Sequence, residues 1–83
     1  MKYKAIVHIM PREEILDPQG KATLLGLGNL GFKQFDNVRI GKRIELEVQA
    51  ANEAEANQLI ENASKKLLAN PIIETYQFEL TTC

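Results

Sequence analysis

Hydrophobic and polar positions along this chain change period several times, and each change marks an element. From Lys2 to Ile9 they alternate, with Tyr3, Ala5, Val7 and Ile9 on one face and Lys2, Lys4 and His8 on the other, interrupted by Ile6. A period of two predicts a strand. Pro18 to Leu30 reads as a helix. Asp17 offers an N-cap carboxylate, Pro18 has no N–H to leave unpaired, and Gly31 suits a left-handed C-cap with Phe32 packing back on the last turn. Val38 and Ile40, then Ile44, Leu46 and Val48, alternate with charged residues around Gly41-Lys42, which predicts a hairpin of the second and third strands. Asn52 with Glu55 resembles a capping box, and Ala56, Leu59, Ile60, Ala63 and Leu67 follow at helical spacing until Asn70-Pro71 stops the helix. In the last strand Ile72, Glu74, Tyr76, Phe78 and Leu80 share a face.

The order βαββαβ predicts an α+β fold of the ferredoxin-like kind, an antiparallel sheet with both helices on one face, because two right-handed crossovers interleave. With 83 residues the chain forms one domain, residues 1–83. A domain of that size buries roughly 60–65% of its unfolded surface, so association with a partner would help it. The helices cover one sheet face, yet the first and last strands carry apolar residues on both, Ile6 in the first and Ile72 with Ile73 in the last. That placement predicts a second sheet face that meets another subunit, against the plainer reading of ordinary exposed apolar side chains.

Composition narrows the chemistry. Ten Lys and Arg stand against eleven Asp and Glu, without the basic excess of a phosphate-backbone binder. The single cysteine, Cys83, forms no intrachain disulfide or four-cysteine site and reads as part of a frayed tail, which fits the reducing cytoplasm. The apolar run Ala5–Met10 is too short for a signal segment or a membrane span. Gly26-Leu27-Gly28-Asn29-Leu30-Gly31 is literally G-x-G-x-x-G. It is expected to close a helix, where carbonyls rather than amides are presented, so it is no phosphate cradle. His8, the only histidine, has no companion ligand for zinc and no partner to make it a general base, and reads as a surface or interface residue. Ser64 lies inside a helix without a nucleophile-elbow string around it. Nothing in the chain looks catalytic.

Two strings carry more information than these elements require. In Leu16-Asp17-Pro18-Gln19-Gly20 a helix start does not need Gln19, and Gly20 weakens the first turn. This suggests a constraint beyond folding. In Val38-Arg39-Ile40-Gly41-Lys42, continued by Arg43, the basic residues form either a solvated hairpin tip or a docking surface for an acidic or phosphate-bearing partner.

Together with Leu30-Gly31-Phe32 and Asn70–Glu79, these strings resemble the PurS family over about Tyr3 to Leu80. The resemblance implies the small subunit of phosphoribosylformylglycinamidine synthase, which makes formylglycinamidine ribonucleotide in the fourth step of purine biosynthesis. It implies a cytoplasmic, non-catalytic chain that bridges a PurQ-type glutaminase and a PurL-type synthetase, supports ammonia transfer, and forms dimers or tetramers. ATP and magnesium are then expected on the large subunit and no cofactor on this one. Asp17, Gln19, Gly20, Arg39, Gly41 and Lys42 are the expected partner contacts. Two rivals share the topology. An ACT-type ligand-binding regulatory module commonly uses a glycine-bearing loop after the first strand, and Met10–Asp17 has none. An acylphosphatase-like enzyme needs an anion cradle there, and Glu13-Glu14 would repel phosphate.

Overall fold

Four alternate side chains decide where the core forms. In the computed structural model, which describes all 83 residues, strand β1 (Lys2–Pro11) is central and Tyr3, Ala5, Val7 and Ile9 are buried. Strands β2 (Lys42–Gln49) and β3 (Glu74–Thr82) flank it antiparallel, in the order β2-β1-β3. The register places Val48, Leu46 and Ile44 opposite Tyr3, Ala5 and Val7. It places Leu80, Phe78 and Tyr76 opposite Ala5, Val7 and Ile9. Because side chains alternate across a strand, all these residues share one face.

Helix α2 (Glu53–Ala63) packs on that face through Ala56 and Ile60. Asn52 caps it as expected, its Oδ1 accepting the Glu55 N–H at 2.8 Å. The Tyr76 hydroxyl donates to Glu61 Oε1 at 2.8 Å and ties α2 to β3. Desolvation, then that carboxylate, pushes the Tyr76 hydroxyl pKa up. The helix continues as a π turn, Ser64–Leu68, with the Ala69 N–H donating to Ser64 O at 2.9 Å. A π turn takes up more residues per turn and rotates the residues after it. Leu68 and Ala69 therefore reach the core while Leu67, expected on the apolar face, is 83% exposed. Leu59 also lies beside the Ala56–Ile60–Ser64 row rather than in it, and is exposed.

The opposite sheet face is polar, where the sequence leads us to expect added apolar side chains. Lys2 pairs with Glu47 at 2.9 Å, Lys4 with Glu45 at 3.4 Å, and Arg43 with Glu45. These bonds hold the Glu45 and Glu47 carboxyls below their usual range. Glu47 in turn holds the Lys2 ammonium above its own. Ile6 is flanked across the strands by Glu45 and Glu79. Ile72 and Ile73 lie before β3, in a turn that Asn70 builds by accepting the Ile72 N–H on Oδ1 at 3.1 Å and the Glu74 N–H on its carbonyl at 2.7 Å. The strand alternation starts only at Glu74. His8 is exposed on this polar face, between Arg43 and Gln77. The tail is not frayed, since the Cys83 N–H donates to Lys2 O at 3.0 Å.

The α+β class and the antiparallel sheet are as expected, but the second β position is filled differently. The predicted hairpin is absent, because residues 33–41 join no strand and β2 opens at Lys42, opposite Ile9. A hairpin would have laid Val38–Ile40 along the outer edge of β2. Helix α1 (Pro18–Asn29) does close as predicted. Gly31 has φ 97°, and the Gly31 and Phe32 amides donate to Gly28 O at 3.1 Å and Leu27 O at 2.9 Å, a Schellman motif.

Yet α1 buries only Gly20 and adds no side chain to the core. Leu25 and Leu30 are 70% and 77% exposed. The molecule measures 51 × 27 × 14 Å with a radius of gyration of 16.4 Å. A compact chain of this length would have about 12 Å. The sheet has one covering helix, and the other stands away from it.

Candidate functional site

All six residues singled out in the sequence meet at one end of the sheet, where β1 leaves it and β2 enters. Asp17 is the centre of that junction. Its Oδ1 accepts the Gly20 N–H at 3.0 Å and caps α1. Its Oδ2 accepts the Ile40 N–H, 23 residues downstream, at 2.9 Å. One carboxylate thus caps the helix and fastens the irregular segment leading to β2. The amides of Gly20 and then Ile40, with the Arg39 charge adding less, hold the Asp17 carboxyl below the usual aspartate value of 3.8. A depressed carboxyl stabilises the fold above its unfolded pKa, and that contribution is lost as pH falls through the folded value. The fastening is therefore complete at neutral pH and is lost as pH falls below the usual aspartate value.

The two motif glycines answer the question their sequence positions raise. A Cβ on Gly20 would collide with Val38 O and with the Asp17 carboxylate, and a Cβ on Gly41 would collide with Ile9 O and Met10 Sδ. Backbone meets backbone at both points. The rest of the junction is polar. The Arg39 guanidinium donates to Pro11 O and lies 3.7 Å from Glu13. Lys42 Nζ is 3.6 Å from Glu74. Gln19 is exposed and, with Asp17, Gly41 and Lys42, lines a shallow cleft of about 220 Å³.

Arg12, which sequence reasoning passed over, closes the same end by donating its N–H to Ile73 O at 2.9 Å and its guanidinium to Pro71 O at 2.8 Å. No local pattern marks it, because both acceptors lie some sixty residues on in the chain. Arg43, grouped with Arg39 and Lys42 by proximity in sequence, leaves the patch and pairs with Glu45 on the polar sheet face. A larger cleft of about 590 Å³ opens between the loop after β1 and the segment at Asn37–Arg39. Its walls carry Arg12, Lys21 and Arg39 against Glu13, Glu14 and Asp17. Such mixed charge suits a polar protein surface better than a single small anion. The G-x-G-x-x-G string lies at the carbonyl end of α1, where Lys33 Nζ donates to Gly28 O at 2.8 Å. That end attracts cations rather than phosphate.

A family model for PurS, described as phosphoribosylformylglycinamidine (FGAM) synthase, matches residues 4–82. The chain belongs to the PurS family. It is 43% identical to the PurS subunit of phosphoribosylformylglycinamidine synthase from Synechocystis sp., over 95% of this chain and 79% of that one. It is 36% identical to the Bacillus subtilis subunit, over 94% and 92% of the two chains. Among solved structures, Bacillus subtilis PurS superposes with a TM-score of 0.87 at 35% identity, covering 95% of this chain and 98% of that one. A chain of PurLQS from Thermotoga maritima superposes with a TM-score of 0.89 at 28% identity, covering 98% and 99%. The resemblance carried by the two motif strings is thus a family relationship spanning nearly the whole chain. The regulatory-module reading finds no support in these likenesses.

The glycines of this PurS chain separate into two kinds, and substitution should distinguish them. Gly20→Ala regains about 1 kcal/mol of helix propensity, but the forced contact with Val38 O costs about 1–3 kcal/mol, so the net effect is destabilising. Gly41→Ala, with no helix to help it, should lose about 1–3 kcal/mol outright. Gly26→Ala and Gly28→Ala meet open space within α1 and should raise stability by about 0.5–1 kcal/mol each. Urea unfolding of the four variants is the measurement. The junction account requires opposite signs for the two pairs.

Proposed function

We propose that this chain is the non-catalytic small subunit of phosphoribosylformylglycinamidine synthase in the cytoplasm. It joins a glutaminase subunit to an ATP-dependent synthetase subunit and supports the passage of ammonia between them. The observation that carries this reading is the full-length match to a chain of the Thermotoga maritima PurLQS structure. The geometry supports it. The junction at Asp17, Gln19, Gly20, Arg39, Gly41 and Lys42 is a stiff, polar end from which Gln19, Arg39 and Lys42 present side chains to a partner. ATP and magnesium are bound by the large subunit in this reading. Ammonia exposed to water would be protonated and lost to the next step, so two active sites that share it need a sealed junction in fixed register. A small adaptor held rigid at its docking end meets that need.

The same reading makes the chain a homodimer or tetramer. Leu25, Leu30, Phe32 and Phe35 are exposed along and just beyond α1, and only ten residues of the chain are buried. A second copy covering the helix layer would supply the core that one chain lacks.

Two measurements test these statements. Mixed with its glutaminase and synthetase partners, the chain should raise the glutamine-dependent rate and leave the ammonia-dependent rate of the synthetase unchanged. Gln19→Ala with Lys42→Ala should reduce the glutamine-dependent rate at limiting small subunit while costing under about 1 kcal/mol in folding. No effect of the wild-type chain on either rate would refute the subunit reading. Light scattering of the isolated chain at micromolar concentration should give a dimer or larger, and a monodisperse monomer would refute the oligomer.

A further inference from the structure

We infer that Asp17 is the positioning residue of the docking end: its second carboxylate oxygen, by holding the Ile40 amide, sets Arg39 and Lys42 where a partner subunit meets them. The inference rests on the subunit reading and goes beyond it, because it assigns the role to a residue that acts through the segment rather than by touching the partner. Three observations converge on it. Segment 33–41 joins no strand, and among its backbone amides Ile40 is held by a side chain from outside the segment. Arg39 and Gly41 flank that amide directly, and Lys42 opens β2 one residue later. Gly20 lets the same segment approach closely enough for the bond, since a side chain there would occupy the place of Val38 O. Helix capping alone explains only one of the two oxygens. A serine would serve that purpose as well, and it has no second acceptor to reach Ile40.

That difference supplies the test. In Asp17→Ser the hydroxyl keeps a helix cap while the link to Ile40 is lost. Asp17→Asn, of nearly the same volume, serves as a second variant, with one amide oxygen left to accept. Thermal melting and the exchange of the Gly20 amide, which donates to Asp17 Oδ1 at 3.0 Å, report whether α1 remains capped. Exchange of the Ile40 amide should accelerate at least tenfold in both variants while that of Gly20 stays as in the wild type. In the reconstituted complex, the small-subunit concentration giving half the maximal glutamine-dependent rate should rise at least tenfold, with the plateau rate retained. A docking surface that is misplaced, but not chemically altered, produces that split. If the wild-type chain stimulates the glutamine-dependent rate and Asp17→Ser matches it in half-maximal concentration, Asp17 is a helix cap only and the inference is overturned, while the subunit reading stands. Unchanged Ile40 exchange in the variants would overturn it as well. A wild-type chain that gives no stimulation overturns the subunit reading and the docking role together, and the exchange experiment then still reports whether the segment is fastened.

Discussion

One carboxylate holds together parts of this chain that hydrophobic packing leaves apart. The core is narrow. It runs along β1 and is covered by α2, and neither α1 nor residues 33–41 contribute a side chain to it. Their placement depends on polar links at the junction, Asp17 to the Gly20 and Ile40 amides and Arg39 to Pro11 O, beside which Arg12 ties the end of β1 to the turn at Pro71–Ile73. Bonds in which the donor or the acceptor is ionised are stronger than neutral ones. A few of them can therefore orient a segment that burial does not. Gly20 and Gly41 make the arrangement possible by allowing backbone to lie against backbone.

What was legible in the sequence was whatever local chemistry settles. The caps at Asp17, Asn52 and Gly31 lie where their side chains or backbone freedom place them, and β1 follows its alternation to the residue. The rarity of Leu16–Gly20 and Val38–Lys42 was legible too, as was the puzzle of a glycine in a first helical turn. Its cause was not. It is a contact with Val38, eighteen positions away, and no local pattern encodes such a distance. The misplaced strand has the same origin. Val38 and Ile40 alternate like a strand, but an edge strand needs its amides for a ladder, and Asp17 takes the amide of Ile40 instead. Tertiary competition for one donor overrides propensity there.

The other departures are matters of phase. Leu67 fits an α-helical period counted from Ala56. The π turn at Ser64–Leu68 breaks the count, so Leu68 and Ala69 take the inward positions. Ile72 fits a strand period counted back from Leu80, yet the turn built by Asn70 delays the strand until Glu74. A hydrophobic pattern reports a face only while the backbone repeat beneath it continues.

These features together direct where the chain can associate. The polar sheet face is laced with cross-strand ion pairs, and β2, at one edge of the sheet, carries Lys42, Arg43, Glu45 and Glu47. Charge along an edge strand opposes the addition of another strand. Exposed apolar side chains lie along α1 and just beyond it, at Leu25, Leu30, Phe32 and Phe35, and also at Leu16, Leu67 and Ile72. The surface around α1 is thus divided between exposed apolar side chains along the helix and the polar junction at its start. Asp17 stands at the start of α1 and beside Arg39, at the boundary of the two.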